Sequence, residues 1–289
     1  MTAPTSGADR GPIAWPAIDA ELVRFLDLHE ARSHAIGGRI VRDLGDAILL
    51  TDPHDRDPFW NRLSGLRLPD DPDAFDDRLG ALLGLFRGLD RRPHVWVAAG
   101  HDRPVDLPTR LASRGFDDLG GGVPMLLVDA AAASAAGAKV DGARVEVHAR
   151  PQARDRSAIA HEVAGLLVAA FRVDPLVRPR LTADLITGLD SPALRLYVVR
   201  ADGIAVAAAK RTSLDGASYL SSIGTRPGWR GQGFGALVTA AACRDALAEG
   251  DRITYLRVFP ENGRARALYE RLGFRAAARR AGDFLLAWS

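Results

Sequence analysis

The feature that most limits what this chain can fold into is a diverged internal repeat. Residues 60–116 lie on residues 218–274 at a constant offset of 158, without gaps. Trp60 to Pro69 then falls on Ser218 to Pro227, and the two prolines coincide. His94-Val95-Trp96-Val97 falls on Arg252-Ile253-Thr254-Tyr255, and Leu111 to Phe116 falls on Tyr269 to Phe274, so that both end in Gly-Phe. Each copy runs on into a short apolar strand, Met125 to Val128 and Phe284 to Ala287. Identities are few. The shared order of strand, proline, helix, strand, helix, Gly-Phe and strand carries the argument. It predicts two domains of one fold, residues 1–140 and 141–289, joined near Ala130 to Asp141 where Ala, Ser and Gly dominate.

Composition narrows the class. With 47% hydrophobic and 26% charged residues the chain reads as a soluble globular protein. No apolar run approaches the ~20 residues that span a bilayer, and the N-terminal segment lacks a basic stretch followed by an apolar one. A cytoplasmic monomer or homodimer without membrane partners is expected. The single cysteine, Cys243, excludes an internal disulfide and a multi-cysteine zinc site, and the seven histidines show no metal-ligand spacing, so no metal is expected. The net charge of +2 hides an asymmetry. Residues 1–140 hold 16 Lys+Arg against 21 Asp+Glu, a net of −5; residues 141–289 hold 22 against 15, a net of +7. A basic half suits an anionic ligand. Its basic residues are scattered and not interleaved with aromatics, which argues against nucleic acid.

In the second copy, Val145 to His148 alternates as a strand, Ser157 to Phe171 has helical spacing, and Arg180 to Gly188 is a second helix. Strands follow at Leu194 to Arg200, Ile204 to Thr212 and Ser218 to Thr225. A glycine-rich loop then opens a helix over Phe234 to Ala248; Ile253 to Phe259 reads as a buried strand and Arg264 to Leu272 as a helix closed by Gly273. This is a mixed sheet with helices on both faces.

The chemistry concentrates in Arg230-Gly231-Gln232-Gly233-Phe234-Gly235-Ala236. Alternate glycines let the backbone approach a diphosphate closely. The free N–H groups and positive dipole end of the helix behind them bind an anion, and Arg230 adds charge.

Here the chain resembles the GCN5-related N-acetyltransferase (GNAT) family. Its acetyl-CoA signature, Arg/Gln-x-x-Gly-x-Gly/Ala, is matched by Arg230 to Gly235. Downstream, Asn262 to Phe274 resembles the second signature, Asn-x-x-Ala-x-x-Leu-Tyr-x-x-x-Gly-Phe. The resemblance covers residues 145–289 and implies an α/β fold: two tandem acyl-CoA N-acyltransferase (GNAT-like) domains, each a mixed, mostly antiparallel sheet flanked by helices. It implies transfer of acetyl from acetyl-CoA, as co-substrate, to an amine. Ile223-Gly224-Thr225 then corresponds to the family's fourth strand, which bends from its neighbour so that pantetheine pairs with its open edge. Tyr269 corresponds to the general acid that protonates the departing thiolate, and Asn262 to a cofactor-contacting asparagine that also suits a helix N-cap.

The acetyl-CoA set is thus Ile223, Gly224, Thr225, Arg230, Gly231, Gln232, Gly233, Phe234, Gly235, Ala236 and Asn262. The N-terminal copy has lost it. Arg230 to Gly235 corresponds to Pro72-Asp73-Ala74-Phe75-Asp76-Asp77, Asn262 to Pro104 and Tyr269 to Leu111, which predicts a degenerate domain without a cofactor site. No carboxylate stands on Ser218 to Thr225 or Ile253 to Phe259 to take the amine's proton; Ser221 and Ser222 suit a water, and Glu261 lies just beyond. Two other readings remain: an acetyl-CoA-binding sensor without turnover, and an oxidoreductase, since Gly231-x-Gly233-x-x-Ala236 also fits the dinucleotide fingerprint. His161-Glu162 lacks the second histidine of a zinc-protease helix. Cys243 reads as a small core residue, and Gly120-Gly121-Gly122 as a hairpin loop.

Overall fold

A computed structural model describes residues 19–286 apart from 99, 137–139 and 278–280; the N-terminal segment, the middle of the linker and Ala287 lie outside the described residues. The first half contains α1 (Ala20–Ala35), β1 (Ile40–Asp43), β2 (Ile48–Thr51), β3 (Arg62–Ser64), α2 (Pro72–Gly88), β4 (His94–Val97), α3 (Leu107–Ala112), β5 (Phe116–Asp118), β6 (Val123–Leu127) and α4 (Ala130–Ala136). The second contains β7 (Ala143–His148), α5 (Ala153–Phe171), α6 (Arg178–Gly188), β8 (Leu194–Ala201), β9 (Ile204–Leu214), β10 (Ala217–Thr225), α7 (Phe234–Ala248), β11 (Ile253–Val258), α8 (Gly263–Arg271), β12 (Phe274–Ala276) and β13 (Gly282–Leu286).

These strands build two mixed sheets, ordered β1-β2-β3-β4-β13-β5 and β12-β6-β11-β10-β9-β8-β7. The two orders superimpose: β3 and β4 are parallel neighbours, as are β10 and β11. At the offset of 158, β5 coincides with β12, and β3, β4, α2 and α3 overlap β10, β11, α7 and α8. The repeat is therefore one topology used twice, with β7 as an extra edge strand on the second sheet.

The two halves exchange a strand. β6 lies between β11 and β12, pairing Leu126 with Tyr255 and with Arg275. β13 lies between β4 and β5, pairing Phe284 with Val95 and with Asp118. A boundary at residue 140 thus leaves each sheet dependent on a strand from the other half. The two connections cross at one point, where Gly121 N–H donates to Ala281 O (3.0 Å) and Ala281 N–H to Gly122 O (3.2 Å). A Cβ on Gly121 would stand 3.0 Å from Ala281 O, so any larger residue there would push the crossing strands apart by a few tenths of an ångström. Gly120 to Gly122 is therefore a crossover between sheets and not a hairpin loop: β5 and β6 are never neighbours. The Ala-rich joining segment likewise contains α4, whose Ala133 is buried with Ala240 and Ala241 of α7. Helix α5 begins at Ala153, earlier than the apolar spacing predicts, because Arg154 and Asp155 of its first turn are exposed and carry no periodic signal.

Helix α1 rests on both sheets. Leu22 and Leu26 pack with Leu126, Tyr219 and Tyr255 of the second, while Ala31 packs with Ile48 and Leu50 of the first. His29 fixes its register. Its Nε2 faces the carbonyls of Leu214 and Ala217, both at 3.1 Å, so Nε2 carries the proton and Nδ1 accepts from Tyr255 Oη at 2.8 Å. Burial lowers the His29 pKa and keeps the ring neutral. No described helix is long and apolar enough to cross a membrane.

Fragments 1–140 and 141–289 made separately should each fail to give a monodisperse folded species, because each lacks an interior strand of its sheet and bares two strand edges that are paired in the whole chain. Made together they should co-purify as one particle. Size-exclusion chromatography of the separate and mixed fragments checks this; a monomeric, cooperatively unfolding 141–289 fragment would contradict it.

Candidate acyl-CoA cleft

The site begins with a defect in β10. Its pairing with β11 runs from Ala217 to Leu220 and stops. On the other side the register with β9 shifts between Ser221 and Gly224, and Ser222 takes a positive φ of +52°, so the chain bulges and bends there. From Ser221 onward β10 has no partner strand on its β11 side among the described residues, which leaves main-chain donors and acceptors open along Ile223, Gly224 and Thr225. The end of α5 presses on the bent segment: a Cβ on Gly224 would stand 3.0 Å from Ala170 Cβ.

A short turn over Pro227–Trp229 leads into the glycine loop. Gly231 (φ +81°) and Gly233 (φ +88°) occupy the left-handed region, which side chains other than glycine enter at a cost. Gly233 is the N-cap of α7 and provides no side-chain acceptor, so the first N–H groups of the helix stay open to a ligand. Gly235 lies in that first turn, where a Cβ would touch Leu268 Cδ1 and Thr225 Oγ1, both at 3.4 Å. Arg230 braces the loop, donating to the carbonyls of Ala170 and Thr225.

Loop, open strand and α8 enclose a cleft of about 550 Å³. Ile223, Gly224, Thr225, Arg230, Gly231, Gly233, Phe234, Gly235, Ala236, Asn262 and Tyr269 all line it. Gln232 does not; it is exposed and its amide donates to Gly228 O at 3.5 Å. Asn262 holds both expected places, since its Oδ1 accepts from Ala265 N at 3.2 Å as the N-cap of α8 while the residue lines the cleft. Sequence reasoning missed Arg264 and Arg271. They stand seven residues apart, on one face of α8 with Leu268, and join Arg230 in the lining. No Asp or Glu lines the cleft among the described residues, so its field favours an anion.

Tyr269 is 7% exposed and packs edge-on against Phe274, with ring centroids 6.0 Å apart. Its hydroxyl has no hydrogen-bond partner among the described residues, and the side chain borders the cleft. Burial raises its pKa, so the phenol keeps its proton through neutral pH. Glu261 is exposed beyond β11. Ser221 Oγ is buried and makes no hydrogen bond among the described residues. Cys243 is fully buried in the core on α7, where burial pushes its thiol up to about 12.

The equivalent place in the first domain is filled by the chain itself. There Arg103 N–H donates to Leu66 O (2.9 Å) and Leu68 N–H to Arg103 O (3.1 Å), closing the gap that stays open beside Ile223. Arg24 reaches the carbonyl of Gly65 at the matching bend. Asp71 caps α2 by accepting from Ala74 N at 2.9 Å, so a carboxylate holds the helix terminus that α7 leaves free.

Residues 163–274 match the model of the Acetyltransferase (GNAT) family. No curated protein sequence matches the chain. Among solved structures, the chain is similar to a GCN5-related N-acetyltransferase from Kribbella flavida, with a TM-score of 0.66 and 21% identity over 95% of this chain and 98% of that one. It is also similar to a functionally unknown conserved protein from Staphylococcus epidermidis ATCC 12228 (TM-score 0.62, 12% identity, 86% and 92% covered). A tandem GNAT protein from the clavulanic acid biosynthesis pathway gives a TM-score of 0.59 at 15% identity over 93% and 96%. At these identities the likeness is one of fold. The matched segment 163–274 holds the bulged strand, the glycine loop and the tyrosine helix, and the chain around it has the fold of these tandem GNAT structures.

Proposed function

We propose that the second domain transfers an acetyl group from acetyl-CoA to a primary amine, with Tyr269 as general acid. The observation that carries this reading is the buried, protonated Tyr269 phenol, without a hydrogen-bond partner among the described residues, on the wall of a cleft that is also lined by an uncapped helix terminus. The diphosphate suits the N–H groups behind Gly231 and Gly233, with Arg230, Arg264 and Arg271 around it. The pantetheine amides suit the open edge of Ile223 to Thr225. The neutral amine attacks the thioester carbonyl and a C–N bond forms; the C–S bond breaks and the thiolate takes the Tyr269 proton, while the nitrogen sheds one proton to solvent water, from which the phenolate is reprotonated. The lack of a carboxylate among the cleft-lining residues favours a second reading, a sensor that binds acetyl-CoA without turnover; release of CoA thiol in the presence of amines separates the two.

Tyr269→Phe should lower kcat by about 10²–10⁴-fold with acetyl-CoA affinity little changed, as expected for a proton donor used only in the reaction. Single-turnover kinetics and calorimetry check it; an unchanged rate of the chemical step returns Tyr269 to core packing.

Gly231→Asp isolates the electrostatics of the loop. A Cβ at Gly231 meets nothing within 4 Å, and aspartate tolerates the left-handed region better than most residues. Its carboxylate should weaken acetyl-CoA binding at least about tenfold through like-charge repulsion. Calorimetry showing unchanged affinity would remove the diphosphate from this loop.

The closed gap and the Asp71 cap of the first domain predict one acetyl-CoA per chain. Equilibrium dialysis should saturate at a ratio of one; a ratio of two would place a second site in the first half.

A further inference from the structure

Beneath the bend of β10, at the junction of α1, α6 and the two domains, lies a buried network of charges. Arg257 pairs with Asp27 and Glu30, and Arg62 with Glu30. Arg39 and Arg180 each reach both Asp52 and Asp184. Four guanidinium groups thus face four carboxylates, and the network balances.

Lys210 is left over. It lies on β9 in register with Ser221, the last residue of β10 paired before the bulge. It stands close enough to Arg39, Asp184 and His34 to feel or exert their charges. It has no hydrogen bond and no ion pair among the described residues, although it is only partly accessible. Two further polar groups near it are buried and make no hydrogen bond among the described residues: Ser221 Oγ, in register on β10, and His34 Nε2, which stops 3.5 Å from Glu30 Oε1. His34 is 5% exposed and walled by Trp60 and Tyr219, with ring centroids 5.1 and 5.7 Å away. Burial holds its imidazole down to about 4, so it is neutral.

An unpaired ammonium in such surroundings is costly, and the charge balance leaves it without a carboxylate of its own. Burial and Arg39 lower the Lys210 pKa only to about 8, so it still carries its proton at neutral pH. We infer that Lys210, with Ser221 and His34 beside it, binds the carboxylate of the acceptor, and that the acceptor is an amino acid: a primary amine with a carboxylate a few bonds away. A single unmatched positive charge suits a carboxylate better than a phosphate dianion, which would need a second free cation. The position of Lys210, one residue pair before the bulge, keeps amine and carboxylate close together. This inference rests on the acetyl-transfer reading of the adjacent cleft.

The test uses the full-length protein loaded with acetyl-CoA and a panel of proteinogenic amino acids, each beside its decarboxylated amine, such as lysine with cadaverine and phenylalanine with phenethylamine. In the wild type the best amino acid should exceed its amine partner in kcat/KM by at least about tenfold, a usual worth for a hydrogen bond to a charged group. Lys210→Met should collapse that ratio toward one, chiefly through KM, and Lys210→Arg should keep part of it. Calorimetry supplies a readout without turnover: the same amino acid should bind the CoA-loaded wild type and lose at least about tenfold in affinity in Lys210→Met. Lys210→Met should also raise Tm without ligand, since it removes an uncompensated charge, and this confirms that the variant folds. Equal kcat/KM for both members of every pair in the wild type overturns the inference and leaves acetyl transfer standing. A loss of kcat shared alike by both members in Lys210→Met overturns it in favour of proton transfer by Lys210. Absence of CoA release with every amine overturns the acetyl-transfer reading; if amino acids then still bind in a Lys210-dependent way, the carboxylate site stands alone, and if they do not, it falls too.

Discussion

β6 makes main-chain hydrogen bonds to two strands of a sheet otherwise built from the second half of the chain, and β13 returns the exchange. Everything functional depends on this. β11 is one lip of the bend that opens the cleft, and β6 is its neighbour on the far side. The bend needs β11 to stay in place where β10 leaves it. With an interior strand supplied by the first domain, β11 is held by hydrogen bonds on the side away from the gap, and the gap survives as a feature of a rigid sheet. All five residues of β6 are buried, which gives the exchanged strand an apolar anchorage as well as its ladder.

The same topology has opposite outcomes in the two domains. Both sheets bend after their third-from-last shared strand pair, at Gly65 (φ +60°) in the first and at Ser222 in the second. In the first, the chain after β4 folds back so that Arg103 pairs with Leu66 and Leu68, and the open edge is satisfied internally. In the second, α8 begins soon after β11, and its N-cap Asn262 borders the cleft that stays open. Unsatisfied main-chain groups at a sheet edge and a helix terminus are costly in isolation. Their persistence in one copy and their removal in the other distinguishes an open cleft from a closed scaffold built on the same plan.

Much of this was legible from residue pattern. The repeat register of 158 holds because strands and helices of matching length recur, and the glycine loop is legible because φ near +80° at Gly231 and Gly233 demands glycine. The exchange was not. Val123 to Leu127 is apolar on both faces and suits an interior position in either sheet, and three glycines before it read as a tight turn. Arg264 and Arg271 carry no signal of their own in the helix they belong to; their role as lining appears only once that helix is placed beside the glycine loop and the bent strand. Lys210 follows a run of alanines in a strand, and nothing local to it shows that Arg39 and Asp184, drawn from distant segments, arrive balanced around it.

The charged junction also sets how the two domains meet. Replacing the four arginines and four carboxylates with well-packed apolar side chains of similar volume would cost little stability, as for many buried ion networks. Breaking one pair leaves a buried charge without a partner, which is strongly destabilising. Such a network is satisfied in one arrangement only, because Arg257 of the second sheet must meet Asp27 and Glu30 of α1 while Arg39, after α1, meets Asp184 of α6. It therefore fixes the docking of α1 against β11 and α6 more narrowly than apolar packing does. The stacked rings of Tyr219 and Tyr255, with centroids 5.0 Å apart, sit between these charges and the bend of β10. Rigid docking on that side keeps Ser221 and Lys210 in place at the base of the gap, so the interaction that holds the domains together also shapes the floor on which an acceptor would rest.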